Sequence, residues 1–344
     1  MNADQQRRKY LDRADNYQQT VSALMAFAAF VVHDGSSQRE GASFGVGRRM
    51  QTSATNRIAP NTEITPDLVS QKSATFGIVA EAKKSLPKNQ QTWASFLEQL
   101  RKYDDFLTGW WTQDQQMPEY NALLLLHHSR SRLFIQYLQE ALRTDPAAVG
   151  PRSAVVEFST SMETELYYFF RLEYGALRDA ELHPRLASGV QIPFERVLTS
   201  YPSLHYYDSE PPTELLLTEL WSGVFPSLLG DLKIDEALNA FPLRVSVAEL
   251  TLELQRAFGS ATLPIDVRSV EFPKQSWVRK ALDRLVGYKY AKPPDQGDTY
   301  TVLYRPFKKD VMERFIDLAL SKSTATGNSD PQLLLFADGE ESGA

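Results

Sequence analysis

Ile64-Thr65-Pro66-Asp67-Leu68-Val69, a polar break over residues 70–75, and then Phe76-Gly77-Ile78-Val79-Ala80-Glu81-Ala82-Lys83 form the stretch whose reading decides the fold. Two short apolar runs separated by Ser70-Gln71-Lys72-Ser73-Ala74-Thr75 predict a β-hairpin. Side chains alternate between the faces of a strand, so Glu81 and Lys83 point to one face and Ala82 to the other. Pairing across the turn brings Asp67 to the same point. Two carboxylates and an ammonium then surround one small volume. An ordinary solvated pair on an edge strand would also read Glu-x-Lys, and the elements on either side decide between the two.

Downstream, Trp93, Phe96, Leu97, Leu100 and Tyr103 recur at the spacing of one buried helical face. A fourth apolar run over residues 121–128 follows, then an amphipathic stretch over 132–143, then a strand-like run over 153–159. Pro66-Asp67, the hairpin and Glu81-Ala82-Lys83, followed by helix, strand, helix and strand, resemble the PD-(D/E)XK nuclease superfamily across roughly residues 36–175. The resemblance implies an α/β fold with a restriction-endonuclease-like core, a mixed central sheet flanked by helices. It also implies a Mg²⁺ (or Mn²⁺) site held by Asp67 and Glu81 with the Ala82 carbonyl, and a Lys83 that orients or deprotonates water. Family members carry an acidic residue on a helix before the first strand, which points to Glu40 as a further ligand. They also place a polar or basic residue from the following helix near the site, which points to Gln99 and Lys102. The chemistry suits the residue types: a phosphodiester is anionic, and Mg²⁺ takes hard oxygen ligands, often only one or two protein carboxylates.

At 344 residues, 42% hydrophobic with 15 Tyr and 18 Phe, the chain is long enough for more than one core. Without cysteine it has no disulfide framework, thiolate zinc site or cysteine nucleophile, which suits a cytoplasmic setting. The longest apolar stretch, residues 21–32, is too short to span a bilayer and reads as a buried helix, so no membrane association is expected. Neither a phosphate-binding loop nor a dinucleotide fingerprint is present. His127 and His128 follow the fourth strand, and strand alternation would put their rings on opposite faces.

The net charge of −6 is unevenly spread: residues 268–309 hold ten basic residues against four acidic ones. Residues 274–285 read as an amphipathic helix, 288–294 and 299–304 as the strands of a hairpin turning at 295–298, and 247–258 as an earlier helix. This order resembles a winged-helix domain, which implies that Gln275, Ser276, Arg279 and Lys280 face DNA from the helix and Lys289 and Lys292 from the hairpin. Near the end, Gln332-Leu333-Leu334-Leu335-Phe336 interrupts a polar segment. It resembles the bacterial sliding-clamp-binding motif, with Gln332, Leu333, Leu335 and Phe336 as the contacting residues.

The expected organisation is a nuclease-like domain with N-terminal helices over 1–175, a connector over 176–240, a winged-helix-like domain over 241–322 and a disordered tail over 323–344. The expected function is Mg²⁺-dependent endonucleolytic hydrolysis of DNA in bacterial defence or repair. A catalytically silent nuclease fold acting as a DNA-binding regulator or complex subunit is the alternative. Self-association into a homo-oligomer is left open.

Overall fold

The computed structural model describes residues 3–34, 37–83, 90–162, 166–194, 205–230, 232–235, 237–258, 272–294 and 297–326. The clamp-like pentapeptide 332–336 and the hairpin tip at 295–296 lie outside them. The protein is mixed α/β and divides into two compact units, one drawn mainly from residues 20–202, the other from residues 1–19 and most of the chain after 203. No helix among the described residues is long and apolar enough to cross a membrane.

In the first unit the apolar stretch 21–32 is the end of a long helix, α1 (Ala3–Val32), whose residues from Ala23 onward are buried all round. The chain then forms a two-residue hairpin, β1 (His33–Asp34) and β2 (Ser37–Gln38), followed by β3 (Ser43–Val46), β4 (Met50–Thr52), β5 (Glu63–Ile64) and the hairpin β6 (Leu68–Gln71) and β7 (Phe76–Lys83). Next come α2 (Gln90–Tyr103), β8 (Leu107–Thr108), β9 (Glu119–His127), α3 (His128–Thr144), β10 (Ser153–Met162), β11 (Leu166–Tyr174), α4 (Leu182–Ser188) and β12 (Val190–Pro193). Seven strands pair in the order β12-β11-β10-β9-β7-β6-β3, while β5-β4-β8 make a small separate sheet.

The centre of the large sheet is parallel, β7 to β9 and β9 to β10, and the flanking pairings are antiparallel. Parallel neighbours require crossovers, which α2 and α3 supply. Covered on both faces, β7 and β9 are buried almost throughout, as near-continuous apolar strands of parallel sheets are. Val79, Ala122, Leu124, Leu126 and Val155 share one core with the inward faces of α2 and α3. On α1, Phe27 packs edge-on against Phe170 of β11, with ring centres 5.3 Å apart.

The second unit contains α5 (Thr213–Glu219), which runs into a π-helical turn at Leu220–Val224, then β13 (Phe241–Ser246), α6 (Val247–Phe258), α7 (Gln275–Gly287), β14 (Ala291–Lys292), β15 (Thr299–Tyr304) and α8 (Val311–Thr326). Its sheet order is β13-β15-β14, all antiparallel. Trp221 is its aromatic hub: the rings of Phe225, Tyr290, Tyr304, Phe307 and Phe315 lie between 4.8 and 5.7 Å from its own. A reciprocal box starts α6, in which Ser246 Oγ accepts from Glu249 N while Glu249 Oε2 accepts from Ser246 N.

Several expectations change at the level of elements. Glu40 is in a turn, not on a helix. The strand expected over 288–294 shrinks to Ala291–Lys292, because Tyr288 caps α7 and Lys289 has a positive φ of 63° that no extended strand accommodates. Residues 176–240 contribute β12 to the large sheet and the Trp221 hub to the second unit. Helix α8 continues through Thr326, so the first residues of the expected tail are helical.

Candidate active site

Asp67 sits one residue before β6 begins its ladder with β7 at the Leu68–Ala80 pair. Pro66, which has no N–H to give a ladder, suits the approach to that strand. The next register position places Asp67 opposite Glu81, on the face that Val69, Val79 and Lys83 also occupy. That face is covered by α2. Asp67 and Glu81 are almost sealed, their side chains 7% and 4% exposed, whereas Lys83 is 27% exposed.

The three charges are close. Lys83 Nζ lies 3.2 Å from Glu81 Oε2 and 3.9 Å from Asp67 Oδ2. The backbone N–H of Ala82 donates to Asp67 Oδ2 at 2.9 Å. Burial pushes the Asp67 carboxyl well above the usual carboxylate range, the charge of Glu81 pushes it further, and Lys83 and the Ala82 N–H oppose the rise.

Helix α2 adds a residue that the sequence reading missed. Tyr103, buried at the end of the helix, donates its hydroxyl to Glu81 Oε1, and Gln99 Nε2 donates to that hydroxyl at 3.2 Å. Burial and the Glu81 charge raise the Tyr103 phenol well above its ordinary value, so it remains a donor. The signal was present in the sequence: Gln99 and Tyr103 are four apart, hence stacked on one helical face. Tyr103 was counted there only as an apolar residue. Lys102 turns to Glu98, 3.5 Å away on its own helix.

Glu40 is not brought to this point. The β3–β6 ladder pairs Ser43 with Gln71 and Val46 with Leu68, so Glu40 is exposed beyond the Gln71 end, about 13 Å of strand from Asp67. The two histidines differ from the expected opposition, their ring centres being 4.3 Å apart. The reason is local: β9 ends at His127 and α3 begins at His128, so strand alternation no longer governs the pair. Leu126 is in register with Lys83, which sets both imidazoles at the same carboxyl end of the sheet. Ligands of open α/β sheets commonly sit at such ends.

Among the described residues no group of three or more His, Cys, Asp or Glu side chains is arranged to hold a metal ion. The donor set here is two carboxylates, a number Mg²⁺ commonly takes from protein. Their chemistry fits a cation, since a divalent charge would offset both the repulsion and the burial that hold Asp67 toward its protonated form.

In the second unit, Gln275, Ser276, Arg279 and Lys280 are exposed on α7, as are Lys289 and Lys292 beyond it. The charges of Arg279 and Lys280 are shared, however, as is that of Lys274 before them. Arg279 makes a two-pronged pair with Asp298, with Nη2 2.7 Å from Oδ2. Lys280 lies 2.8 Å from Glu210, and Lys274 lies 2.6 Å from Asp208. Compared with protein-family models, with curated proteins and with solved structures, the chain matches none.

Proposed function

We propose that this protein is a Mg²⁺- or Mn²⁺-dependent nuclease that hydrolyses phosphodiester bonds in DNA, on a restriction-endonuclease-like core with a winged-helix module. The observation that carries this reading is the convergence of the nearly sealed Asp67 and Glu81 with the partly exposed Lys83 at the carboxyl ends of the parallel strands. Asp67 and Glu81 would hold the metal, and by family resemblance the Ala82 carbonyl would join them. A bound Mg²⁺ supplies charge neutralisation at the phosphodiester and lowers the pKa of water. Tyr103 fixes the Glu81 carboxylate by donating to it, Gln99 holds the Tyr103 hydroxyl in turn, and Lys83 offers its partly exposed ammonium to an anionic substrate.

The winged-helix reading is supported by the order strand, helix, helix and hairpin, with β15 between β13 and β14. The pentapeptide 332–336 would add recruitment by a bacterial sliding clamp. The test is cleavage of plasmid DNA by the purified chain with Mg²⁺ and with EDTA, alongside Asp67→Asn and Glu81→Gln. Metal-dependent nicking by the parent alone is expected. DNA left uncut by a parent that binds it would favour the silent, regulatory alternative, and cleavage retained in both variants would end the site assignment.

A further inference from the structure

The basic face of α7 is already occupied by carboxylates of the same unit, and those from residues 208 and 210 arrive together for a structural reason. Glu210 precedes Pro211, which biases it toward an extended backbone. Residues 207–209 make a tight turn about Asp208, Ser209 N donating to Tyr207 O at 2.7 Å, so one acid sits at the bend and the other just past it. Their targets are Lys274, the N-cap of α7, 2.6 Å from Asp208, and Lys280 within the helix, 2.8 Å from Glu210. Pro211 and Pro212 are buried ahead of α5, and the Tyr17 hydroxyl donates to Ser209 O at 3.2 Å.

We infer that residues 208–210 form an acidic strap that competes with DNA phosphates for Lys274, at the N-cap of α7, and Lys280 within that helix. This rests on the reading of the second unit as a DNA-binding module. Both ion pairs are at the surface, with Lys274 and Lys280 side chains 42% and 46% exposed, so each is weak enough for a polyanion to displace. Asp298 differs, because its own carbonyl accepts from Val247 N at 3.2 Å and holds it beside Arg279 whatever binds. The strap thus sets how much of the helix's charge a phosphate backbone meets. DNA binding by the parent should be weaker, and less dependent on salt, than the count of lysines on that face suggests.

The experiment measures binding of the full chain to a fluorescent DNA duplex by anisotropy in EDTA, across a salt series. Asp208→Asn with Glu210→Gln keeps shape and removes charge. Affinity should rise about fivefold at 0.1 M salt, the size of two exposed ion pairs, and the salt slope should steepen by about two, one for each lysine returned to phosphate contact. The gain should disappear when Lys274→Gln and Lys280→Gln are added. That dependence separates a freed basic face from a loosened fold or a general change in net charge. A parent that binds DNA with the same affinity and slope as the variant, or a gain that survives loss of both lysines, would overturn the strap alone. Absence of DNA binding in parent and variant would overturn the strap and the winged-helix reading together, leaving the Asp67 site to its own test.

Discussion

Replacing Lys83 by Met removes the cation that faces two nearly sealed carboxylates among the described residues, while keeping most of the apolar stem. At 3.2 Å and 3.9 Å the two attractions amount to about 5 and about 4 kcal/mol in an effective dielectric of about 20, before the cost of holding the ammonium out of water. Breaking a buried pair from one side typically costs about 3–5 kcal/mol, and the 27% exposure of Lys83 brings the expectation to about 2–3 kcal/mol at pH 8. The loss should depend on pH. Because the Asp67 carboxyl is raised in the native state, native protein keeps its proton to higher pH than the unfolded chain does. Stability contributed by this group therefore falls as pH rises from the ordinary carboxylate range through the raised native value. Removing Lys83, which opposes the rise, deepens that fall, so the variant should lose less at pH 5.5 than at pH 8. Hydrogen exchange of the β7 and β9 amides without metal isolates this unit from the other, which a single melting curve would not. Mg²⁺ at pH 8 should return part of the loss by binding the native form. An equal loss at both pH values, or none, would refute the coupling of these three charges.

Tyr103→Phe removes the hydroxyl that donates to Glu81, a hydrogen bond to a charged group worth about 1.5–3 kcal/mol. The expected outcome is Mg²⁺ affinity lowered roughly tenfold by calorimetry, that energy being shared with the fold, with the far-ultraviolet spectrum unchanged; unaltered affinity would remove Tyr103 from the site. A peptide spanning residues 329–338 should bind the bacterial sliding clamp, and Leu335→Ala with Phe336→Ala should abolish binding, since each anchor of this kind contributes on the order of 2 kcal/mol or more. Undiminished binding of the double variant would leave the pentapeptide without that role.

What the sequence by itself determined is the part governed by covalent periodicity. The turn between β6 and β7 falls inside the break at 70–75, with Ser70 and Gln71 still paired as the end of β6, and the two-residue spacing of Glu81 and Lys83 puts them on one face, because successive strand side chains must alternate. The apolar spacing from Trp93 to Tyr103 marks α2 in the same way. Tertiary structure decided the rest. Tyr103, not Lys102, reaches Glu81, since the rotation of α2 on the sheet is set by how its whole apolar face packs. Glu40 falls at the far end of the β3–β6 ladder because register is a property of two strands together. The two histidines meet because a strand becomes a helix between them. The basic run at 274–280 looked available in one dimension. Its lysines are paired with acids 66 and 70 residues away, at Asp208 and Glu210, and a charge so distant along the chain can be assigned to a neighbour only once the backbone has closed the loop between them.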